Sequence, residues 1–394
     1  MNIIFMGIAL VLLFERAWKH WMVMRFFHRP PPLQIDVTLI SIIQPILSGD
    51  PDLPACLEHN LRATSSIPRE FLWLVDTDDL AGQNICQMLI TRNPAATVRL
   101  VLCAPPAPRE NPKMIKLQIG ARLAQGDVLC VLDDDTRLPD GAFERALPYL
   151  GQPGAGLVFG LPFYTSFGTF WSRLVAYFVN SNSLLTYVPY TMLRAPITIN
   201  GMFYALRRRT FDALGGFDGL EQTLADDFAV AQRVRAHGLR LVQTPLCHGV
   251  GTTVRDARHY TSLIQRWFIF PRESLMRHLH GTDLAVLYAL ALLPVFFPWL
   301  ALLLVALQPN AWTLGAALGY FAYSYVLFAW FNLRYFGGAA PWRFSWLVPL
   351  IQLTFPLQLL AALLAPQRIR WRGHEMEVER GGTFRFVRRR AGDE

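Results

Sequence analysis

Val128-Leu129-Cys130-Val131-Leu132-Asp133-Asp134-Asp135 joins a short apolar run to three carboxylates. The apolar residues read as a buried strand, and the acids stand where that strand opens into a loop. Side chains alternate along extended backbone, so Asp133 and Asp135 face one way and can share a hard divalent cation through oxygen ligands. Ligands of α/β sheets collect at the carboxyl ends of strands, where these acids stand. The competing reading is a solvated acidic turn completed by Pro139, Asp140 and Gly141. Adjacent acids repel unless a cation or water offsets them, so the triplet by itself fits both readings.

The flanking chain repeats the pattern. Residues 37–43, 71–75, 98–102 and 128–132 read as strands, with helices between them at 54–64, 84–91 and 113–124. Such alternation predicts an α/β domain with a largely parallel sheet.

Outside this region the composition is that of a membrane protein. Of 394 residues, 53% are hydrophobic and 17% charged, and mean hydropathy is +0.27, too apolar for an ordinary soluble domain. Residues 1–14 are apolar, but a helix of that length covers about 20 Å of a hydrocarbon core about 30 Å thick. Either the anchor continues to Phe27 with Arg16 and Lys19 snorkelling to the interface, or the segment begins upstream. No small-residue cleavage site follows, which favours an uncleaved anchor. Arg25, His28 and Arg29 argue that the next domain is cytoplasmic, and Pro30-Pro31-Pro32 makes a stiff linker.

Residues 284–307, 311–331 and 345–365 are each near the length of a bilayer-spanning helix. Gln308-Pro309-Asn310 makes the first two a hairpin, and Gly315 with Gly319 offers a close-packing face. The aromatic stretch between Gly156 and Pro196 suits a surface that meets lipid or an apolar acceptor. The expected organisation is an anchor over 1–28, an α/β domain over 29–265 and an interfacial amphipathic segment over 266–282. Three hydrophobic segments over 283–365 and a basic tail over 366–394 follow, with a small strand pair around Gly381-Gly382. Three crossings after a cytoplasmic domain deliver the tail to the far side, whereas Arg368, Arg370, Arg372 and Arg388 to Arg390 argue for the near side. One segment is therefore re-entrant or interfacial, or the tail breaks the rule.

Lys and Arg exceed Asp and Glu by 37 to 29, a net +8. The excess sits beside apolar segments, at Arg16 to Arg29, Arg266 to Arg277 and Arg368 to Arg390, which points to lipid headgroups and away from a nucleic-acid groove. The five cysteines contain no C-x-x-C pair, which disfavours a zinc site or disulfide framework.

Four further islands carry polar chemistry. Asp76-Thr77-Asp78-Asp79 again puts acids at a strand's end. Asn111-Pro112-Lys113 places a cation at a helix start, a natural phosphate contact. Asp226-Asp227 opens a helical run to His237, where capping is the plainer reading. Gln265-Arg266-Trp267 precedes the membrane segments, where an interfacial anchor is the plainer reading.

Taken in order, these islands resemble the membrane-bound, inverting GT-A glycosyltransferases, and among them the ceramide glucosyltransferase family with related bacterial lipid glycosyltransferases. Ile42-Ile43-Gln44-Pro45, Gly49-Asp50-Pro51-Asp52-Leu53, Asn111-Pro112-Lys113, Gly156-Leu157-Val158, Asn200-Gly201-Met202 and Trp371-Arg372-Gly373 are similar to the family's local motifs. The resemblance implies a GT-A domain on the cytoplasmic face with Asp79, or else Asp76, at the uracil of a nucleotide-sugar donor. It makes Asp133 and Asp135 the diphosphate-and-metal site for Mg2+ or Mn2+, and Asp227 the catalytic base. Arg266 and Trp267 match the end of the Q/R-x-x-R-W motif, whose first position is Leu263 here. Gln265 lies on a different helical face from that position. The implied reaction moves a sugar, glucose from UDP-glucose by default, to the hydroxyl of a membrane lipid such as ceramide with inversion. Other lipids remain open: a hopanoid, diacylglycerol or a polyprenyl phosphate. Lys113 joins the donor contacts through its phosphate chemistry.

Two other readings compete. A processive polysaccharide synthase shares the acids and the Arg-Trp ending, but three C-terminal segments offer little wall for a channel. A non-catalytic receptor or transporter component is disfavoured by the complete acid set and by hydrophobic segments whose notable polar group is Gln352.

Overall fold

The computed structural model describes residues 3–276, 279, 281–371, 373–379 and 382–388. Arg277, Arg372, Gly381, Arg389 and Arg390, which entered the sequence reading, lie outside the described residues. The chain opens with helix α1 (Ile3–Phe27), then alternates β1 (Ile40–Pro45), α2 (Leu53–Arg62), β2 (Arg69–Asp76), α3 (Leu80–Arg92), β3 (Val98–Cys103), α4 (Pro112–Leu123) and β4 (Val128–Leu132). There follow β5 (Thr136–Arg137), α5 (Ala142–Ala146), β6 (Ala155–Tyr164), α6 (Phe170–Leu193), β7 (Phe203–Arg207), α7 (Arg208–Ala213), α8 (Asp226–Ala236), β8 (Arg240–Val250) and α9 (Ala257–Phe270).

One sheet, in the order β3-β2-β1-β4-β7-β6-β8-β5, carries these elements. Strands β3, β2, β1 and β4 run parallel, as the alternation predicts. Beyond them the sheet is mixed, because β7 pairs antiparallel with both β4 and β6. Helix α6 connects β6 to β7, lying against the end of β6, where Asn180 bonds the Tyr164 N–H and carbonyl at 2.7 and 3.0 Å, and against the apolar helices on its other side. All six residues of β1 and all five of β4 are buried, as befits strands covered on both faces.

Three described helices are long and apolar enough to cross a membrane: α10 (Gly281–Leu307), α11 (Ala311–Arg334) and α12 (Leu347–Leu364). The hairpin between α10 and α11 is closed by a capping box in which the Asn310 side chain accepts from the Thr313 N–H and Thr313 reaches back. Gly315 and Gly319 do not form the expected tight face, since a Cβ at Gly315 would meet nothing and one at Gly319 only Leu13 at 3.7 Å. The tail is a three-stranded antiparallel sheet of β9 (Arg368–Trp371), β10 (His374–Val378) and β11 (Phe384–Arg388), one strand more than the expected pair.

Helix α1 runs to Phe27, but Arg16 and Lys19 do not snorkel. Ala9, Leu12, Arg16, Lys19, Val23 and Phe26 recur every three or four residues and form its buried stripe. Both cations therefore point into the bundle. Arg16 donates to the Tyr320 hydroxyl at 2.8 Å, and Lys19 pairs with Glu15 at 2.5 Å. Lys19 also donates to the Leu290 carbonyl at 2.8 Å, which Pro294, four residues on, has no N–H to satisfy. The aromatic stretch behaves differently too. Phe159, Tyr164 and Tyr177 are buried, and Phe163, Phe167, Trp171 and Phe178 pack against buried clusters, leaving Phe170 and Tyr187 exposed. Of these rings, Tyr177 meets Phe328 at 5.1 Å and Phe178 stacks on Phe355 at 4.0 Å, which fastens α6 to the apolar helices.

Candidate active site

The ends of β4, α4, α8 and α9 converge. Helix α4 starts at Asn111, whose side-chain oxygen accepts from the Lys113 N–H at 2.9 Å, with Pro112 in the first turn. Near its other end a Cβ on Gly120 would lie 2.5 Å from Ile43, so only glycine lets α4 lie this close to β1. The Lys113 ammonium consequently reaches Asp133 at 2.7 Å and Asp226 at 2.9 Å. Burial alone would lower its pKa, but Asp133 and Asp226 outweigh that and hold it well above the ordinary value.

Asn111 also donates to the carbonyls of Thr223 and Leu224 at 3.0 and 3.2 Å. One side chain thus ties the start of α4 to the loop that delivers Asp226-Asp227. Gly201 packs beneath them: a Cβ there would stand 3.0 Å from the Asp227 Cβ and 3.5 Å from the Lys113 Nζ. Burial, reinforced by Asp226, pushes the Asp227 carboxyl up to about 7. Burial likewise raises Asp133 to about 6, against the pull of Lys113.

Asp135 accepts from the Thr252 hydroxyl at 2.6 Å, and its carbonyl accepts from the Gly251 N–H at 2.7 Å. Tyr164, at the end of β6, feels the charges of both Asp135 and Arg266, and its ring meets Trp267 edge-on at 6.0 Å. Trp267 therefore lies beside Tyr164 at the end of β6. Leu263 instead packs among membrane-helix residues, and Gln265 donates to the Pro366 and Arg368 carbonyls at 2.8 and 3.0 Å. Gln265 holds the tail and does not take the place of the missing polar residue.

Asp79 and Asp76 stand at the end of β2, each with partners. Asp79 caps α3 through the Gly82 N–H and accepts from the Ser48 N–H at 2.8 Å and hydroxyl at 2.5 Å. Asp76 pairs with Lys116 at 2.8 Å, and Lys116 also donates to the Ile46 carbonyl.

Residues 3–384 match Glycosyl transferase family 21. The chain belongs to that family. This family 21 member is 21% identical over 376 residues to Ceramide glucosyltransferase 1 of Caenorhabditis elegans, covering 92% of this chain and 76% of the relative. Its fold is similar to that of the mannosyltransferase PcManGT from Pyrobaculum calidifontis, solved with GDP-Man and Mn2+. There the TM-score is 0.50 at 16% identity, over 91% of this chain and 99% of the other. GalNAc-T7, solved with UDP, GalNAc and Mn2+, aligns with a TM-score of 0.43 at 14% identity, over 76% of this chain and 57% of the other. The family 21 chain is a glycosyltransferase with a GT-A fold and membrane-type helices at its C-terminal end.

A Mg2+- or Mn2+-type ion needs one or two carboxylates, completed by water and substrate phosphates. Asp133 and Asp135 are two carboxylates at this end of β4, with Asp133 paired to Lys113 and Asp135 bonded to Thr252. No group of three or more His, Cys, Asp or Glu able to hold an ion occurs among the described residues. The corner is also built for positive charge, as the acids around Lys113 show. Sequence reasoning passed over Asp226 as a partner of Lys113, and over Lys116 and Tyr164. Lys116 carries a usable signal: it follows Lys113 by three residues and so rises from the same face of α4.

Proposed function

We propose that this glycosyltransferase moves a sugar, glucose from UDP-glucose, to the hydroxyl of a membrane lipid such as ceramide, giving a β-glycoside by inversion on the cytoplasmic face. The observation that carries the reading is the Lys113 ammonium bridging Asp133 and Asp226, which gathers the strand-end acids and the Asp226-Asp227 pair at one point. The family 21 membership and the ceramide glucosyltransferase relative support the donor and acceptor classes.

Asp227 takes the proton of the lipid hydroxyl as its oxygen attacks the anomeric carbon. A carboxyl near 7 suits a base working at neutral pH. The bond from that carbon to the diphosphate oxygen breaks, and its electron pair leaves with the nucleotide. Lys113 and Arg266 offset the charge that develops there. Asp133 and Asp135 would hold Mg2+ or Mn2+, which when bound neutralises diphosphate charge. Asp79, through the Ser48 loop it braces, and Asp76 flank the base of the nucleotide. A single displacement inverts the anomeric centre.

The test is to incubate membranes containing the protein with radiolabelled UDP-sugars and a panel of ceramide, diacylglycerol, hopanoid and polyprenyl phosphate, with and without chelator. β-Linked glucosylceramide lost on metal removal is expected. An α-linked product overturns the displacement, and undiminished activity after thorough metal removal overturns the metal role of Asp133 and Asp135.

A further inference from the structure

Helix α12 is long and apolar enough to cross a membrane, yet both of its ends are held against the catalytic domain. Ahead of it, Phe336 stacks on Phe163 of β6 at 4.8 Å, and the Tyr177 hydroxyl of α6 donates to the Pro341 carbonyl. Behind it, Gln265 of α9 binds the Pro366 and Arg368 carbonyls, and Arg272 donates to the Leu363 carbonyl at 2.8 Å. Further on, the Leu224 N–H donates to the Gly382 carbonyl at 3.0 Å, and Thr223 bridges Thr383. The tail sheet is thereby fastened to the loop that leads into Asp226-Asp227.

Between those ends α12 packs along α6 and α9 and also touches α10, where Trp299 donates to the Leu353 carbonyl at 2.8 Å. Phe355 stacks on Phe178 of α6 at 4.0 Å, and the Tyr260 hydroxyl of α9 donates to Gln358 at 2.6 Å.

Helices α1, α10 and α11 behave otherwise. Their near ends meet the catalytic side, where Phe27 and Tyr335 pack on the cluster that holds Leu161 of β6 and Arg194 pairs with Asp283 at 3.5 Å. Their other halves form a separate cluster of Ala9, Leu12, Ala301, Leu304 and Ala317, which contains no residue of the sheet or of α6 and α9.

We infer that α12 stays in the leaflet next to the catalytic domain, its outer side against the acyl chains, and that only α1, α10 and α11 cross. The outer side is Leu357, Leu360, Leu363 and Leu364, all exposed, and acyl chains are the partner that such a stripe fits when it adjoins three crossing helices. The hairpin of α10 and α11 then leaves and returns, α12 adds no crossing, and the tail shares the face of the catalytic domain. Arg368 and Arg370 come to lie on the same side as Arg25 and Arg29, as charge bias requires. The inference is independent of which lipid accepts the sugar.

Full-length protein in sealed vesicles, labelled with a membrane-impermeant maleimide, tests this. Four variants each add one cysteine at an exposed position: Arg92→Cys in α3, Pro309→Cys in the hairpin turn, Arg343→Cys ahead of α12 and Val387→Cys in β11. The unsubstituted protein sets the background from the natural thiols. Arg92→Cys, Arg343→Cys and Val387→Cys should label from one side, and Pro309→Cys from the other. Val387→Cys labelling together with Pro309→Cys overturns the inference, as does Pro309→Cys labelling with Arg92→Cys. Antibody access to a C-terminal epitope tag, before and after permeabilisation, decides the same point should Val387→Cys fail to fold.

Discussion

Strands β2 and β4 both end in clustered acids, Asp76-Thr77-Asp78-Asp79 and Asp133-Asp134-Asp135, and the fold employs the two sets differently. At β2 the oxygens of Asp79 are taken up by Ser48 and the cap of α3, and Asp76 by Lys116. At β4, Asp134 is drawn inward to the Leu47 N–H, while Asp133 and Asp135 turn toward Lys113 and Thr252. Asp133 shares Lys113 with Asp226, which α8 brings in. Which strand-end acids are available for chemistry is thus set by what already occupies their oxygens.

The sharpest way to break this contrast is at the base that β4 faces. Asp227→Asn should lower kcat by about 10^2- to 10^4-fold with the fold retained. In the wild type, kcat should rise as pH increases through about 7, because the base must lose its proton before it can accept the one from the acceptor. A pH-rate profile that keeps this rise in the variant removes Asp227 from the role. Next in size, Lys113→Met strands Asp133 and Asp226, and denaturant unfolding should show a loss of about 3 to 5 kcal/mol. Asp226→Asn added to it should recover part of that loss.

At β2 the expected effects are smaller and mainly structural. Asp79→Ala should cost about 1 to 2 kcal/mol through the lost cap, whereas Asp79→Asn, which retains an acceptor, should keep most of the stability. UDP titration of the Asn variant sharpens the comparison: weaker binding at near-normal stability adds a nucleotide contact to the structural role. Smallest of all, Gln265→Ala removes two hydrogen bonds to the tail, for a loss of about 1 kcal/mol and unchanged kcat. A large fall in kcat there would give Gln265 a part in the reaction that its contacts with the tail do not explain.

Much of the catalytic region is legible along the chain. The strand over 128–132 is where the apolar run puts it, and α4 begins where Asn111-Pro112 predicts. Such signals act over a few residues, through burial, capping and proline's missing N–H. The antiparallel β7 was not legible, because its pairing with β4 depends on how the chain returns after α6. Arg16 and Lys19 misled for a related reason. Their spacing on α1 put them in the buried stripe, but only α10 and α11 supply the Leu290 carbonyl and the Tyr320 hydroxyl that make burial tolerable.

The sequence by itself determined the acids at the strand ends, the helix starts and the apolar lengths that suit a bilayer, since each depends on neighbours along the chain. Tertiary structure decided which acids share Lys113 and where Gln265 points. Those outcomes depend on groups that meet only after folding, where one hydrogen bond or ion pair fixes what spacing leaves open.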